Sequence, residues 1–302
     1  MSNNGLSPEQ MTQLVDLENK YDVSGVPENL YHYTKYDAVN LILSSEGIVF
    51  RLTEINSFPD ITEGKLIHAY YETALHNLLN NTIITADEYD RLICIDVPET
   101  TLIISDNKTG SCIECCAYVA CFSTIGQDPY MYDNYIKNEG HVGYCLQIPS
   151  WIFKSKFISH EIPIGYRQTL SPVVYGNSII EIIESFLIDA KKICVEFSSE
   201  VLVEAMNTIM GSLLSKLRPI TKLERYRKEN EVRLIIYLPK SSNNKVTYPD
   251  FINEVENDKN HIKICFDKHL YGLTSHNVSD ERNKELIKTL QDRDYQNCYP
   301  IT

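Results

Sequence analysis

Two short segments, far apart in the chain, carry the residue types that do chemistry. Leu30-Tyr31-His32-Tyr33-Thr34 sets a histidine among aromatic residues. Glu229-Asn230-Glu231-Val232-Arg233 sets two carboxylates and a guanidinium at every second position, directly before the apolar run Leu234-Ile235-Ile236-Tyr237-Leu238. Side chains alternate between the faces of a β-strand, so Glu229, Glu231 and Arg233 share one face if the strand starts that early. One carboxylate there stabilises a developing positive charge and the other takes a proton from a nucleophile, while the guanidinium holds a carboxylate or grips a pyrophosphate as a fork. The competing reading is a solvated strand face whose charges pair with their neighbours. For His32, ligand binding competes with a partly buried ring hydrogen-bonded beneath Tyr31 and Tyr33.

The elements that must position these groups follow from capping and periodicity. Ser7-Pro8-Glu9-Gln10 is a capping box with proline at the first helical position, which predicts a helix to about Tyr21. Val39, Leu41, Ile42 and Leu43 then fall at helical spacing before Gly47, and Ile48 to Thr53 alternates as a strand. This strand, short helix, strand unit opens its strand ends to a common cleft, with His32 and Arg51 facing each other. Helices are expected from Glu63 to Leu79, from the Thr85 cap, over Tyr130 to Lys137 and after Ser279. Strands are expected at Cys121-Phe122-Ser123, Gly143 to Ile148, Val173-Val174-Tyr175, Glu231 to Leu238 and His261 to Phe266. Between 177 and 217, apolar stripes that include Ile183, Phe186, Ile209 and Leu213 predict two antiparallel helices, either core or an inserted hairpin.

Composition excludes several classes. The 302 residues carry a net charge of -13, from 28 basic and 41 acidic side chains, so the overall field repels polyanions and indiscriminate nucleic-acid binding is not expected. A local basic groove stays open beside a plain solvated basic face, because Lys216, Arg218, Lys222, Arg225, Arg227 and Lys228 crowd the approach to Glu229. No apolar stretch approaches the roughly 18 residues of a membrane helix, and the amino terminus lacks the basic segment and apolar core of a secretory signal. A soluble, cytoplasmic protein with no membrane partner is the expectation. Nine cysteines fit reduced thiols; the group Cys112, Cys115, Cys116 and Cys121 lacks the two-knuckle spacing of a zinc site, and no metal is expected. Walker, dinucleotide-binding, nucleophile-elbow, zincin and EF-hand motifs are missing from the sequence.

One resemblance emerges from the ordered set Leu30-Tyr31-His32-Tyr33-Thr34, Cys121-Phe122-Ser123, Tyr132-x-x-Tyr135, His141-Val142-Gly143-Tyr144-Cys145, Val173-Val174-Tyr175, Lys222 and Tyr226-x-x-Glu229-x-Glu231-x-Arg233. Over about residues 28 to 275 the chain resembles the bacterial family called domain of unknown function 2971. Tyr132 and Tyr226 stand where that family has tryptophans, and Asn56-Ser57-Phe58-Pro59-Asp60-Ile61-Thr62-Glu63 only loosely matches its Phe-Asn-Asp-Pro stretch. The layout is in turn similar to the ADP-ribosyltransferase fold. This second similarity implies a single α+β domain with a split, mostly antiparallel sheet forming a cleft; the helices read from the sequence precede it over 1–27, are inserted at 177–217 and close it over 276–302. It implies NAD as substrate and an unidentified macromolecular acceptor, in a toxin, effector or phage-defence setting. Glu231 and Glu229 become the catalytic candidates, and His32, Tyr33, Arg51, Ser123, Tyr132, Tyr135 and Arg233 the NAD-binding ones. A nucleotide-sensing or interaction module and an NAD hydrolase are the alternatives.

Overall fold

The computed structural model describes residues 7–295 except 22, 24, 59, 61, 63–64, 96–100, 107–110, 137–139, 141, 156–165, 195–198, 242–244, 247 and 257–259. In chain order the regular elements are α1 (Pro8–Lys20), β1 (Asn29–Lys35), α2 (Tyr36–Ile42), β2 (Ile48–Glu54), α3 (Leu66–Asn80), α4 (Ala86–Leu92), β3 (Thr101–Asp106), β4 (Ser111–Ser123), α5 (Pro129–Tyr135), β5 (Gly143–Pro149) and α6 (Ile152–Ser155). There follow β6 (Arg167–Pro172), β7 (Val174–Tyr175), α7 (Asn177–Ile193), α8 (Ser199–Leu217), β8 (Thr221–Lys222), β9 (Glu231–Pro239), β10 (Glu254–Val255), β11 (His261–Phe266), β12 (Gly272–His276) and α9 (Asp280–Asp292). The α+β class and the mostly antiparallel sheet match the sequence expectation.

Local chemistry explains the element boundaries. The Ser7 hydroxyl accepts the Gln10 N–H while the Gln10 side chain accepts the Ser7 N–H, and Thr85 with Glu88 repeats this reciprocal cap on α4. Each cap satisfies helix-end donors that would otherwise be orphaned, a contribution of about 1 kcal/mol.

Period-two alternation sorts β4 and β9 into two cores. Cys115, Ala117 and Val119 of β4 and Ile235 and Tyr237 of β9 face a layer built from α1, α3, α4, α7 and α8. Tyr118, Ala120 and Phe122, with Val232, Leu234 and Ile236, face the other way, onto Leu30, Phe50, Leu52 and Leu146 of the curled sheet and onto Val39, Phe153 and Leu286 of the helices behind it. The helices of 177–217 therefore form part of the main helical layer: Ile183, Phe186, Ile209 and Leu213 share their cluster with Leu14 of α1 and Tyr71 of α3. A buried ion pair between Glu18 of α1 and Lys216 of α8, 2.5 Å, ties the amino-terminal helix into the same layer.

The sheet forks at β4. One edge of β4 pairs with β9 all the way from Cys115 to Ser123. The other edge is shared: β3 takes its start, β2 pairs at Tyr118 and Val119, and β1 pairs at Ser123. Beyond this fork β2 continues to β11 and β10, while β1 continues to β5 and β12. Between the two arms the Cys121 carbonyl lacks a strand partner on that edge, and a buried carbonyl left alone is costly. His32 fills the gap, its Nδ1 3.2 Å from the Cys121 oxygen.

A second, two-stranded sheet places the last group the site needs. β7 and β8 pair in parallel with Tyr175 beside Lys222, and the Gly176 N–H closes the turn on the Lys222 carbonyl at 3.1 Å. Gly176 has φ +54° and ψ -129°, a conformation that side-chain-bearing residues avoid, and a methyl group there would press into Glu224. Among the described residues no helix is long and apolar enough to cross a membrane.

Candidate active site

The fork opens a cleft of about 650 Å³ on the face of the sheet that carries Tyr31, Tyr33, Val119, Cys121, Ser123 and Glu231. Its walls are α5, with Met131, Asn134 and Tyr135; the segment after β2, with Phe58 and Asp60; and Lys222, Tyr226 and Glu229 from the chain leading into β9. The volume lies within the roughly 300–1,000 Å³ of small-molecule sites. Tyr226 closes one side by donating to Asp60, 3.2 Å, while Arg225 lies over its ring.

At one end sit four buried charges. Lys222 Nζ bridges Glu229 Oε2 at 2.6 Å and Glu231 Oε2 at 2.7 Å, and Arg233 Nε holds Glu231 Oε1 at 2.6 Å. Arg233 also donates to the Pro219 carbonyl, 2.6 Å, and lies over the Phe58 ring. All four side chains are buried, and Arg233 is completely so. Two carboxylates against two cations leave no net charge in the group, which is what makes such burial tolerable. Burial pushes the Glu231 carboxyl up, but the Arg233 guanidinium and the Lys222 ammonium outweigh it and bring the group down to about 2. Glu229 lacks the guanidinium; burial raises it, against the opposing pull of Lys222 and of the Tyr135 hydroxyl. Two neighbouring carboxyls are thus driven apart, one held ionised at neutral pH and one with higher proton affinity.

The backbone is fixed just as firmly. Tyr175 accepts the Glu231 N–H at 2.9 Å, and Ser123 donates to the Glu229 carbonyl at 2.8 Å while accepting the Ile125 N–H at 3.1 Å. Glu229 ends a 3₁₀ turn, Glu224–Glu229, and Asn230 follows with φ 43° and ψ 51°. Glu229 is therefore off the strand, contrary to the shared-face expectation. The left-handed turn at Asn230, a conformation asparagine tolerates, swings its carboxylate round to the same ammonium.

His32 packs edge-on against Phe50, ring centroids 5.3 Å apart, and beside Phe122, rather than beneath Tyr31 and Tyr33. Burial lowers its proton affinity, so the ring is neutral; Nδ1–H donates to the Cys121 carbonyl and Nε2 is left as an acceptor. Tyr33 lines the cleft and anchors its rim, donating to the Ile125 carbonyl at 2.8 Å and accepting the Asp128 N–H at 2.9 Å. Arg51 reaches the cleft from β2, but its fork closes on Glu256 at 2.7 and 2.8 Å, so a phosphate there must displace that carboxylate.

Three residues expected to touch ligand are held elsewhere. Arg233 is walled in by Glu231, Pro219 and Phe58, so it organises a carboxylate and does not reach a pyrophosphate. The Ser123 hydroxyl is committed to backbone groups at both ends of its turn. Tyr132 lies under α5, stacked on His276 with centroids 4.1 Å apart and edge-on to Tyr33, away from the cleft. Among the described residues its buried hydroxyl has no hydrogen-bond partner, so Tyr132→Phe should leave the melting temperature unchanged or raise it. A drop of several degrees in a calorimetric scan would contradict that placement. The basic run dissolves in the same way: Lys216, Arg218 and Lys222 are buried in internal contacts, which leaves Arg225, Arg227 and Lys228 exposed and forms no groove. His141, and Pro59, Ile61 and Glu63 of the segment from Asn56, lie outside the described residues.

Comparison with protein-family models, with curated proteins and with solved structures finds no match. The geometry of the cleft is therefore the ground for a functional reading. Sequence reasoning placed Lys222 in the basic approach and missed its bridging role. It also missed Phe58 and Asp60 as walls, because no local period links residues brought together by a forked sheet. Among the described residues no group of three or more histidine, cysteine or acidic side chains is arranged to hold a metal ion.

Proposed function

We propose that the chain is an NAD-dependent ADP-ribosyltransferase that moves ADP-ribose from NAD to a macromolecular acceptor. The observation that carries this reading is the meeting, in one cleft of about 650 Å³, of a neutral histidine at the fork of the sheet with an ionised and a proton-accepting carboxylate at the start of β9. The aromatic rings of Tyr31 and Phe58 offer faces for flat ring systems, Nε2 of His32 accepts a ribose hydroxyl, and Lys35 supplies positive charge for the diphosphate, joined by Arg51 where the diphosphate displaces Glu256.

In the transfer step the bond between ribose C1′ and the nicotinamide nitrogen breaks, and its electron pair leaves with nicotinamide. Glu231, ionised at any physiological pH, stabilises the positive charge that develops on the sugar. The acceptor's oxygen or nitrogen bonds to C1′ and its proton passes to Glu229. The role of Ser123 is to fix the backbone of Glu229.

A specific observation favours a second reading, a nucleotide-binding module without catalysis: both oxygens of Glu231 are already engaged by cations. Incubation with NAD labelled in the adenosine half, in the presence of cell lysate, separates the readings. Label transferred to a macromolecule supports the transferase. Nicotinamide release without such label gives a hydrolase, and NAD binding without release gives the binding module. No NAD binding by calorimetry would sink all three.

A further inference from the structure

We propose that Tyr135 is a positioning residue for Glu229, orienting that carboxylate toward the nucleophile at the rim of the cleft; the role rests on the transferase reading. Helix α5 is a fixed platform. Asp128 caps it by accepting the Tyr130 N–H at 2.9 Å, Tyr33 clamps the Asp128 N–H, and Met131, Tyr132 and Ile136 are buried beneath it with Tyr33 and Cys145. Tyr135 projects from this platform into the cleft with 42% of its surface exposed, and its hydroxyl donates to the Glu229 carboxylate.

The groups that face Glu229 are Lys222 from β8, Glu231 from β9 and Tyr135 from α5, with Tyr130 of α5 and Tyr175 of β7 also within electrostatic reach. Glu229, Lys222 and Glu231 are all buried, at 3%, 5% and 5% exposure, so a nucleophile arriving from solvent meets Tyr135 before it reaches the ion cluster. Burial raises the phenol's proton affinity, which keeps it a hydrogen-bond donor throughout the working pH range. A donor fixed to one carboxylate constrains the direction in which that carboxylate's remaining lone pairs are offered.

The sequence expectation for Tyr135 is NAD binding, which its ring would do by stacking on a flat base, and Tyr135→Phe separates that role from positioning because it keeps the ring and removes only the hydroxyl. The readout is nicotinamide release from NAD, with water as nucleophile, followed across pH. Positioning predicts that kcat falls about tenfold while KM stays within about twofold. It also moves the acid limb of the profile to higher pH, since loss of the donor makes Glu229 easier to protonate. An unchanged kcat and acid limb, or a change confined to KM, overturns the proposal.

Wild-type protein that releases no nicotinamide overturns the transferase reading instead. The contact is then tested without NAD, by carbon-13 NMR titration of the Glu229 carboxyl. An upward shift in Tyr135→Phe upholds the orienting bond, and identical titrations in the two proteins remove it. The exposed position of Tyr135 keeps the variant folded, which circular dichroism checks.

Discussion

Arg233→Met lowers the unfolding free energy by about 3–5 kcal/mol, measured by urea denaturation with an unchanged denaturant slope. The side chain is completely buried, so methionine replaces its volume but leaves Glu231 Oε1 with no cation and the Pro219 carbonyl with no donor. What remains in the cluster is two carboxylates on one ammonium. The loss is recovered in part by the double variant Arg233→Met with Glu231→Gln, in which Lys222 and Glu229 form a balanced pair. The double variant should therefore cost less than the sum of the single ones, by about 0.5–3 kcal/mol. Strict additivity would mean that the guanidinium and the carboxylate do not depend on one another, and would remove the cluster as an account of why charge is tolerated at the start of β9.

Glu231→Gln is expected to lower nicotinamide release and ADP-ribose transfer by about 10²–10³, the range seen when a fixed electrostatic stabiliser is removed. It also changes stability, and pH distinguishes that effect from the catalytic one. The Glu231 carboxyl drops from 4.5 to about 2 on folding, so its ionised form contributes about 3 kcal/mol above pH 4.5. That contribution fades as pH falls from 4.5 toward 2. Glu229 runs in the opposite direction: its raised folded value adds stability below 4.5 that is lost as pH rises through that folded value. The Gln variant should be less stable than wild type at neutral pH, and the gap should close in acid. A gap independent of pH would show that the ionised carboxylate is not what stabilises the folded protein. Nicotinamide release at the wild-type rate by folded Glu231→Gln would remove Glu231 from the chemistry.

The sequence made the capped helices legible because the signal is local. Ser7 with Gln10, Thr85 with Glu88, and Ser279 each announce a helix start from a few neighbouring residues. The long apolar run after Glu231 announced β9, which is buried along its whole length. What stayed hidden depends on distant partners. β6 shows no clean alternation because it lies on the outer side of β9, and β12 is a five-residue strand that pairs, among the described residues, with β5 alone. The Glu229 to Arg233 segment was visible as chemistry, yet its geometry turned on two things that spacing does not encode. One is the left-handed Asn230; the other is Lys222, seven and nine residues upstream of the carboxylates it bridges, set in place by a two-residue parallel pair with β7. Tyr132 and Tyr135 are equivalent on paper, and only the seating of α5 separates the buried ring from the exposed one.

The forked β4 has a mechanical meaning. Along one edge it is zipped to β9 from Cys115 to Ser123, whereas β1 joins the other edge at a single register pair, Tyr31 with Ser123, and β2 at Tyr118 and Val119 alone. The molecule is a stiff spine with two lightly riveted arms, and the cleft is the angle between them. Breathing of that angle requires the loss of one rivet while the spine keeps its hydrogen bonds. Amide hydrogens at the rivets should then exchange with solvent well before those of β9. His32, bonded to the Cys121 carbonyl and packed on Phe50 and Phe122, resists that opening from behind the fork.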